Sequence, residues 1–129
     1  MVVGILSVLL AVGAPVGLNF YLDYQLDSEA RLLTSVLQYA RNLALVNYNE
    51  ADHGIYINSA NLLLFQGSSY ASRSVGDDRT FPRISEITVS GATELVFSGL
   101  SGQTASTTFS VTDGRKTRYV YVNSEGLVY

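Results

Sequence analysis

The chain has 129 residues, a net charge of −3 and 15% charged residues, so it offers one modest domain and lacks the basic signature of a nucleic-acid binder. Cysteine is absent, which excludes disulfide scaffolds, thiolate metal sites and cysteine nucleophiles. Nine Tyr and eleven Gly, with many Ser and Thr after residue 53, point to a β-rich portion with short turns.

Residues 1–22 carry no charged side chain, and every Asp, Glu, Lys and Arg lies at or beyond Asp23. At about 1.5 Å per residue such a run reaches about 30 Å, the thickness of a bilayer's hydrocarbon core. A transmembrane or filament-core helix is therefore expected over 1–22, with a kink near Pro15. No Lys or Arg precedes the run, so the pattern of a secretory signal peptide and the usual orientation cue are both missing.

The apolar run passes without a break signal into Leu22, Leu26, Ala30, Leu33, Leu37, Ala40 and Ala44, whose spacings of three and four define one face of a helix. Leu32, Val36, Leu43 and Val46 widen that face, while Asp23, Asp27, Glu29, Arg31, Gln38 and Arg41 occupy the other side. An amphipathic helix is thus expected over 23–48, its stripe covered by a sheet built from 49–129, with Asp27 and Arg31 forming an exposed pair. Asn47, Asn49, Asp52 and Gly54 supply the stop.

Beyond Gly54 short β-prone runs alternate with turns, as in an antiparallel meander. The expected strands are Ile55 to Asn58, Leu62 to Gln66, Ile84 to Val89, Glu94 to Ser98, Ser106 to Thr112, Arg118 to Asn123 and Leu127 to Tyr129. Asp113-Gly114 is the clearest hairpin turn, and Asn123-Ser124-Glu125-Gly126 makes the last one. Val120 and Val122 alternate with Tyr119 and Tyr121, which places the valines against the helix and the tyrosines outward.

Reactive constellations are sparse. His53, the single histidine, stands at a helix-to-strand turn and reads as an exposed imidazole with no partner for a triad. Asp77-Asp78 lacks the alternating ligands of a calcium loop, and the glycines are scattered through hairpins rather than gathered in a phosphate loop. No catalytic, cofactor-binding or metal-binding residue is assigned, and no enzyme activity is expected. Arg115, Lys116 and Arg118 surround the Asp113-Gly114 turn, where they either contact a few phosphates of DNA or keep the hairpin soluble. The stretch from Gly67 to Arg83 is either a partner-facing surface or a tolerated variable loop.

The run from Val2 to Pro15 resembles the N-terminal helix of type IV pilins and type II secretion pseudopilins, which share an apolar segment ending in a helix proline. Ala40-Arg41-Asn42-Leu43-Ala44, Phe97-Ser98-Gly99-Leu100-Ser101-Gly102 and Arg118-Tyr119-Val120-Tyr121-Val122-Asn123-Ser124-Glu125-Gly126-Leu127-Val128 resemble the pseudopilin H-like (GspH/FimT-type) branch. The resemblance implies an α+β, pilin-like fold and a structural role as a minor pilin or pseudopilin. The family's basic leader, cleavage-site glycine and early glutamate are not seen ahead of this run, so the chain is expected to start within the helix. Assembly would use Val2, Val3, Ile5, Leu6, Val8, Leu9, Leu10, Val12 and Pro15. Implied partners are the inner membrane before assembly, other pilin subunits, and a prepilin peptidase and assembly platform. The implied location is the inner membrane, single-pass, with the head extracytoplasmic. A DNA-receptor pilin and an anchored β domain that does not polymerise stand as alternatives.

Overall fold

The computed structural model describes the backbone from Val2 onward and side chains from Gly17 onward. It is α+β: one long helix, α1 (Val2–Leu45), followed by seven strands in antiparallel sheets. The assembly residues expected at Val2, Val3, Ile5, Leu6, Val8, Leu9, Leu10, Val12 and Pro15, with the kink, lie outside the described side chains. Among the described residues no helix is long and apolar enough to cross a membrane. The expected transmembrane helix and single-pass inner-membrane placement are corrected accordingly, because the described part of α1 has only residues 17–22 before Asp23, Asp27, Glu29 and Arg31 follow in quick succession.

The strands are β1 (His53–Ile57), β2 (Asn61–Gln66), β3 (Arg79–Pro82), β4 (Thr88–Ser90), β5 (Glu94–Phe97), β6 (Thr107–Thr112) and β7 (Thr117–Val122). Instead of one meander they form two sheets, ordered β3-β2-β1-β5 and β4-β6-β7. β5 comes back beside β1 with His53 opposite Phe97, so the chain leaves the first sheet after β3 and re-enters it after β4. The expected strand from Ile84 to Val89 shrinks to Thr88–Ser90. Ile84 gives its N–H to Glu29 on α1, and its carbonyl closes a turn with the Ile87 N–H.

Both sheets bury one face on α1. Leu26, Leu33, Val36, Leu37, Ala40 and Ala44 meet Ile55, Ile57, Leu62, Leu64, Leu95, Phe97, Phe109, Val111, Val120 and Val122 in one core. Each of these large aliphatic or aromatic side chains contributes about 1.5–3 kcal/mol on burial, which makes this seam the main source of stability. Val120 and Val122 are buried while Tyr119 and Tyr121 point outward, as the alternation requires.

The helix ends at Leu45, and just beyond it Asn47, in a left-handed backbone (φ 53°), gives its N–H to the Ala44 carbonyl at 2.9 Å; the Leu100 N–H reaches the same oxygen at 2.8 Å. Ala40 and Ala44 are fully buried, and Arg41 runs toward the final turn. There a Cβ on Gly126 (φ +84°) would lie 2.0 Å from the Gly102 carbonyl and 3.1 Å from Arg41 Nε. The Ala-Arg-x-x-Ala spacing therefore lets two small residues admit the sheet while the arginine stem packs under a turn only glycine can make.

Candidate functional site

Three surfaces of the fold hold the residues singled out above. The first is the basic hairpin. Asp113 Oδ1 accepts the N–H groups of Arg115 and Lys116 at 2.8 and 2.9 Å, and Gly114 (φ +87°) completes the turn between β6 and β7. Those backbone bonds hold the Asp113 carboxyl below the usual carboxylate range. The hairpin leans on α1: Arg115 Nη2 reaches Asp23 Oδ1 at 2.5 Å, Lys116 Nζ reaches Asp23 Oδ2 at 3.2 Å and Arg118 Nε reaches Asp27 Oδ1 at 2.8 Å. Hydrogen bonds from Arg115, then from Lys116, lower the Asp23 pKa, and the bond to Asp23 raises that of Arg115. The three cations are thus engaged by two helix carboxylates, Asp23 being shared by Arg115 and Lys116, which reduces the field they could offer to phosphates. Asp27 turns to Arg118 rather than to Arg31, because the sheet brings a cation closer than the helical neighbour does.

The second surface is the stretch from Gly67 to Arg83. It is built into the fold: a short 3₁₀ turn (Val75–Asp77) and β3 interrupt it, and β3 pairs with β2 through Leu62 opposite Phe81. Tyr70 stacks on Tyr56 with ring centroids 4.0 Å apart and meets Phe65 edge-on at 6.0 Å. The Arg73 guanidinium lies 3.9 Å above Tyr70, and its Nε holds Asp78 at 2.9 Å. Glu94 accepts the Tyr70 N–H at 2.6 Å. The loop closes the outer face of the first sheet over Phe65, which is buried although it points away from α1.

Beneath this loop lies a cleft of about 200 Å³ walled by Leu43, Tyr48, Gln66, Asp77 and Asp78, with His53 on its floor. The exposed imidazole expected from the sequence is instead 3% exposed, since β1 lies between β2 and β5. Burial lowers the His53 pKa, opposed by the Ala51 backbone and the charge of Asp52, and Nδ1 finds no hydrogen-bond partner. Among the described residues no three His, Asp or Glu side chains converge as a metal site would require. The alternation of His53 with Ile55 and Ile57 was the available sign of an inward imidazole.

The third surface is the first described stretch of α1. Leu18, Phe20, Tyr21 and Tyr24 are 58%, 74%, 58% and 67% exposed, whereas from Leu26 the apolar face is covered by the sheets. Leu18, Phe20 and Tyr21 fall in the segment expected as a membrane or filament core and Tyr24 in the amphipathic one; in the fold all four lie on a helical stem that the head leaves uncovered.

No protein-family model, no curated protein and no solved structure matches the chain. With no family evidence for a pilus or a secretion system and no membrane-spanning helix among the described residues, the membrane and secretion assignments expected from the sequence are set aside.

Proposed function

We propose that the chain is a structural subunit with the division of labour of a minor pilin or pseudopilin: the stem of α1 packs against the stems of neighbouring subunits, and the two-sheet head faces outward. The observation that supports this reading is the uncovered apolar cluster of Leu18, Phe20, Tyr21 and Tyr24 on a helix whose continuation is anchored in the head core. Helices that expose large apolar side chains on one stretch gain free energy by packing those chains against a like helix.

Replacing Leu18 and Phe20 with Glu tests the reading by sedimentation velocity beside far-UV circular dichroism. The native chain is expected to sediment as an oligomer, and the double variant as a monomer with an unchanged spectrum and melting midpoint. A native chain that stays monomeric at high micromolar concentration, or a double variant that assembles as before, removes the proposal.

A further inference from the structure

We propose that the free edge of β7, together with the facing side of α1, is a docking groove for an extended, acidic polypeptide segment of a partner, which would add a strand to the second sheet. The groove lies apart from the stem, and the backbone hydrogen bonds of that edge define it.

In the β6–β7 pair, Thr108 faces Tyr121 and Ser110 faces Tyr119. Tyr121 turns both backbone groups away from β6: its N–H donates to the Tyr129 carbonyl at 2.8 Å, and its carbonyl accepts the Tyr129 N–H at 2.9 Å. Antiparallel ladders alternate, so Tyr119, two residues along, directs its N–H and C=O the same way, as does Thr117. Among the described residues neither meets a backbone partner on that side. Among the described residues the edge is paired beside Tyr121 and unpaired at Tyr119 and Thr117, the condition under which another chain can pair.

The open stretch borders a groove of about 380 Å³, lined by Ala30, Thr34 and Ser35 of α1 on one bank and Tyr119, Val120 and Tyr129 on the other. Small residues on the helix bank leave room for a strand between helix and sheet edge. From Tyr119 to Thr117 the edge offers three residues, about 10 Å at strand rise. Charge selects the occupant. Arg31 and Arg118 also line the groove; Arg118 is shared with Asp27, while Arg31 makes no ion pair among the described residues. A segment bearing a carboxylate would meet that cation, and a basic one would be repelled.

The probe is the labelled blocked pentapeptide Thr-Val-Glu-Val-Thr, titrated with the full chain by fluorescence anisotropy. Its Glu-to-Lys counterpart and oligothymidine serve as competing ligands. Saturable binding of the Glu peptide is expected, at least tenfold weaker for the Lys peptide, with that preference lost in Arg31→Glu. Tyr119→Pro removes the outward N–H without touching the β6 ladder and should abolish binding, whereas Tyr119→Ala keeps the amide and should bind within a few-fold of the native chain. Should Tyr119→Pro fail to fold, hydrogen exchange on the native chain gives the same test: the Thr117 and Tyr119 amides must become protected when the Glu peptide is added. No binding of the Glu peptide, equal loss in Tyr119→Ala and Tyr119→Pro, unprotected edge amides, or saturable binding of oligothymidine in place of peptide would each overturn the proposal. Stem variants that abolish self-association should leave this titration unchanged, so the two proposals fail separately.

Discussion

Asp27 and Glu29, two residues apart on α1, fasten the helix to the head in opposite ways. Asp27, with Asp23 one turn earlier, holds the β6–β7 hairpin through ion pairs whose side chains remain about one-third to one-half exposed. Glu29 is buried: its Oε1 accepts the Ile84 N–H at 2.9 Å, and its Oε2 lies 3.5 Å from Arg83 Nε, the two side chains being 5% and 3% exposed. Arg83 uses its other nitrogens on the carbonyls of Asn58 at 2.5 Å and Ile87 at 2.7 Å. The dry cluster gathers the β1–β2 connection, the crossing between the sheets and the helix around one charge pair. The wet cluster touches one hairpin. A buried pair carries a desolvation penalty that only a full set of partners offsets, whereas an exposed pair is screened and loosely held. The contrast teaches that the head's register on the helix is set on the Glu29 side and only trimmed on the Asp27 side.

The largest effect should follow from breaking the dry side. Glu29→Gln keeps the acceptor for Ile84 but leaves Arg83 buried without its counter-charge, and removing one partner of such a pair costs about 3–5 kcal/mol. A urea titration should show the midpoint falling with an unchanged slope. Replacing Glu29 and Arg83 together with Met should recover part of the loss, because the carbonyls of Asn58 and Ile87 would still lack their donor. A single variant within 1 kcal/mol of the native chain would mean that Glu29 is held no more firmly than the surface acids.

This asymmetry marks the limit of what the sequence disclosed. The periodic stripe from Leu26 to Ala44, the inward valines of β7 and the Asp113-Gly114 turn were legible because burial follows spacing and φ > 0 follows residue type. Glu29 was read as part of the solvated side. It sits three residues after Leu26 and four before Leu33, in phase with the core, yet charge alone argues for exposure. Its partner lies 54 positions away, and no local pattern reports a contact of that range. The same holds for Arg115, Lys116 and Arg118, read as free cations because Asp23 and Asp27 are distant in sequence. β3 went unseen, since Arg79-Thr80-Phe81-Pro82 shows little alternation and is a strand only because β2 offers an edge.

Acid titration separates further contributions. His53 has its pKa lowered below 6.5 by burial, so the unfolded chain binds the proton more readily. Its contribution is intact above pH 6.5 and is lost as pH falls through the lower folded value. Asp23 and Asp113 are depressed below 3.8, so their contributions persist above that pH and disappear only as it falls through their folded values. Stability measured against pH should therefore decline first below 6.5, and His53→Gln should flatten that limb while leaving the one below 3.8. A native curve flat from pH 7 to 4.5 would contradict the burial of the His53 imidazole.

The smallest change is expected on the wet side. Asp27→Asn deletes one half-exposed pair, worth about 0.5 kcal/mol, and leaves Arg118 free to be hydrated. The difference from the native chain should vanish in molar salt, where screening acts within about 3 Å, whereas the loss in Glu29→Gln should persist there. Measured as a pair at low and high salt, the two variants sort the helix's acids by solvent access rather than by charge. Equal salt sensitivity in both would place Glu29 in water, and the claim that the dry cluster sets the register of head on helix would fall with it.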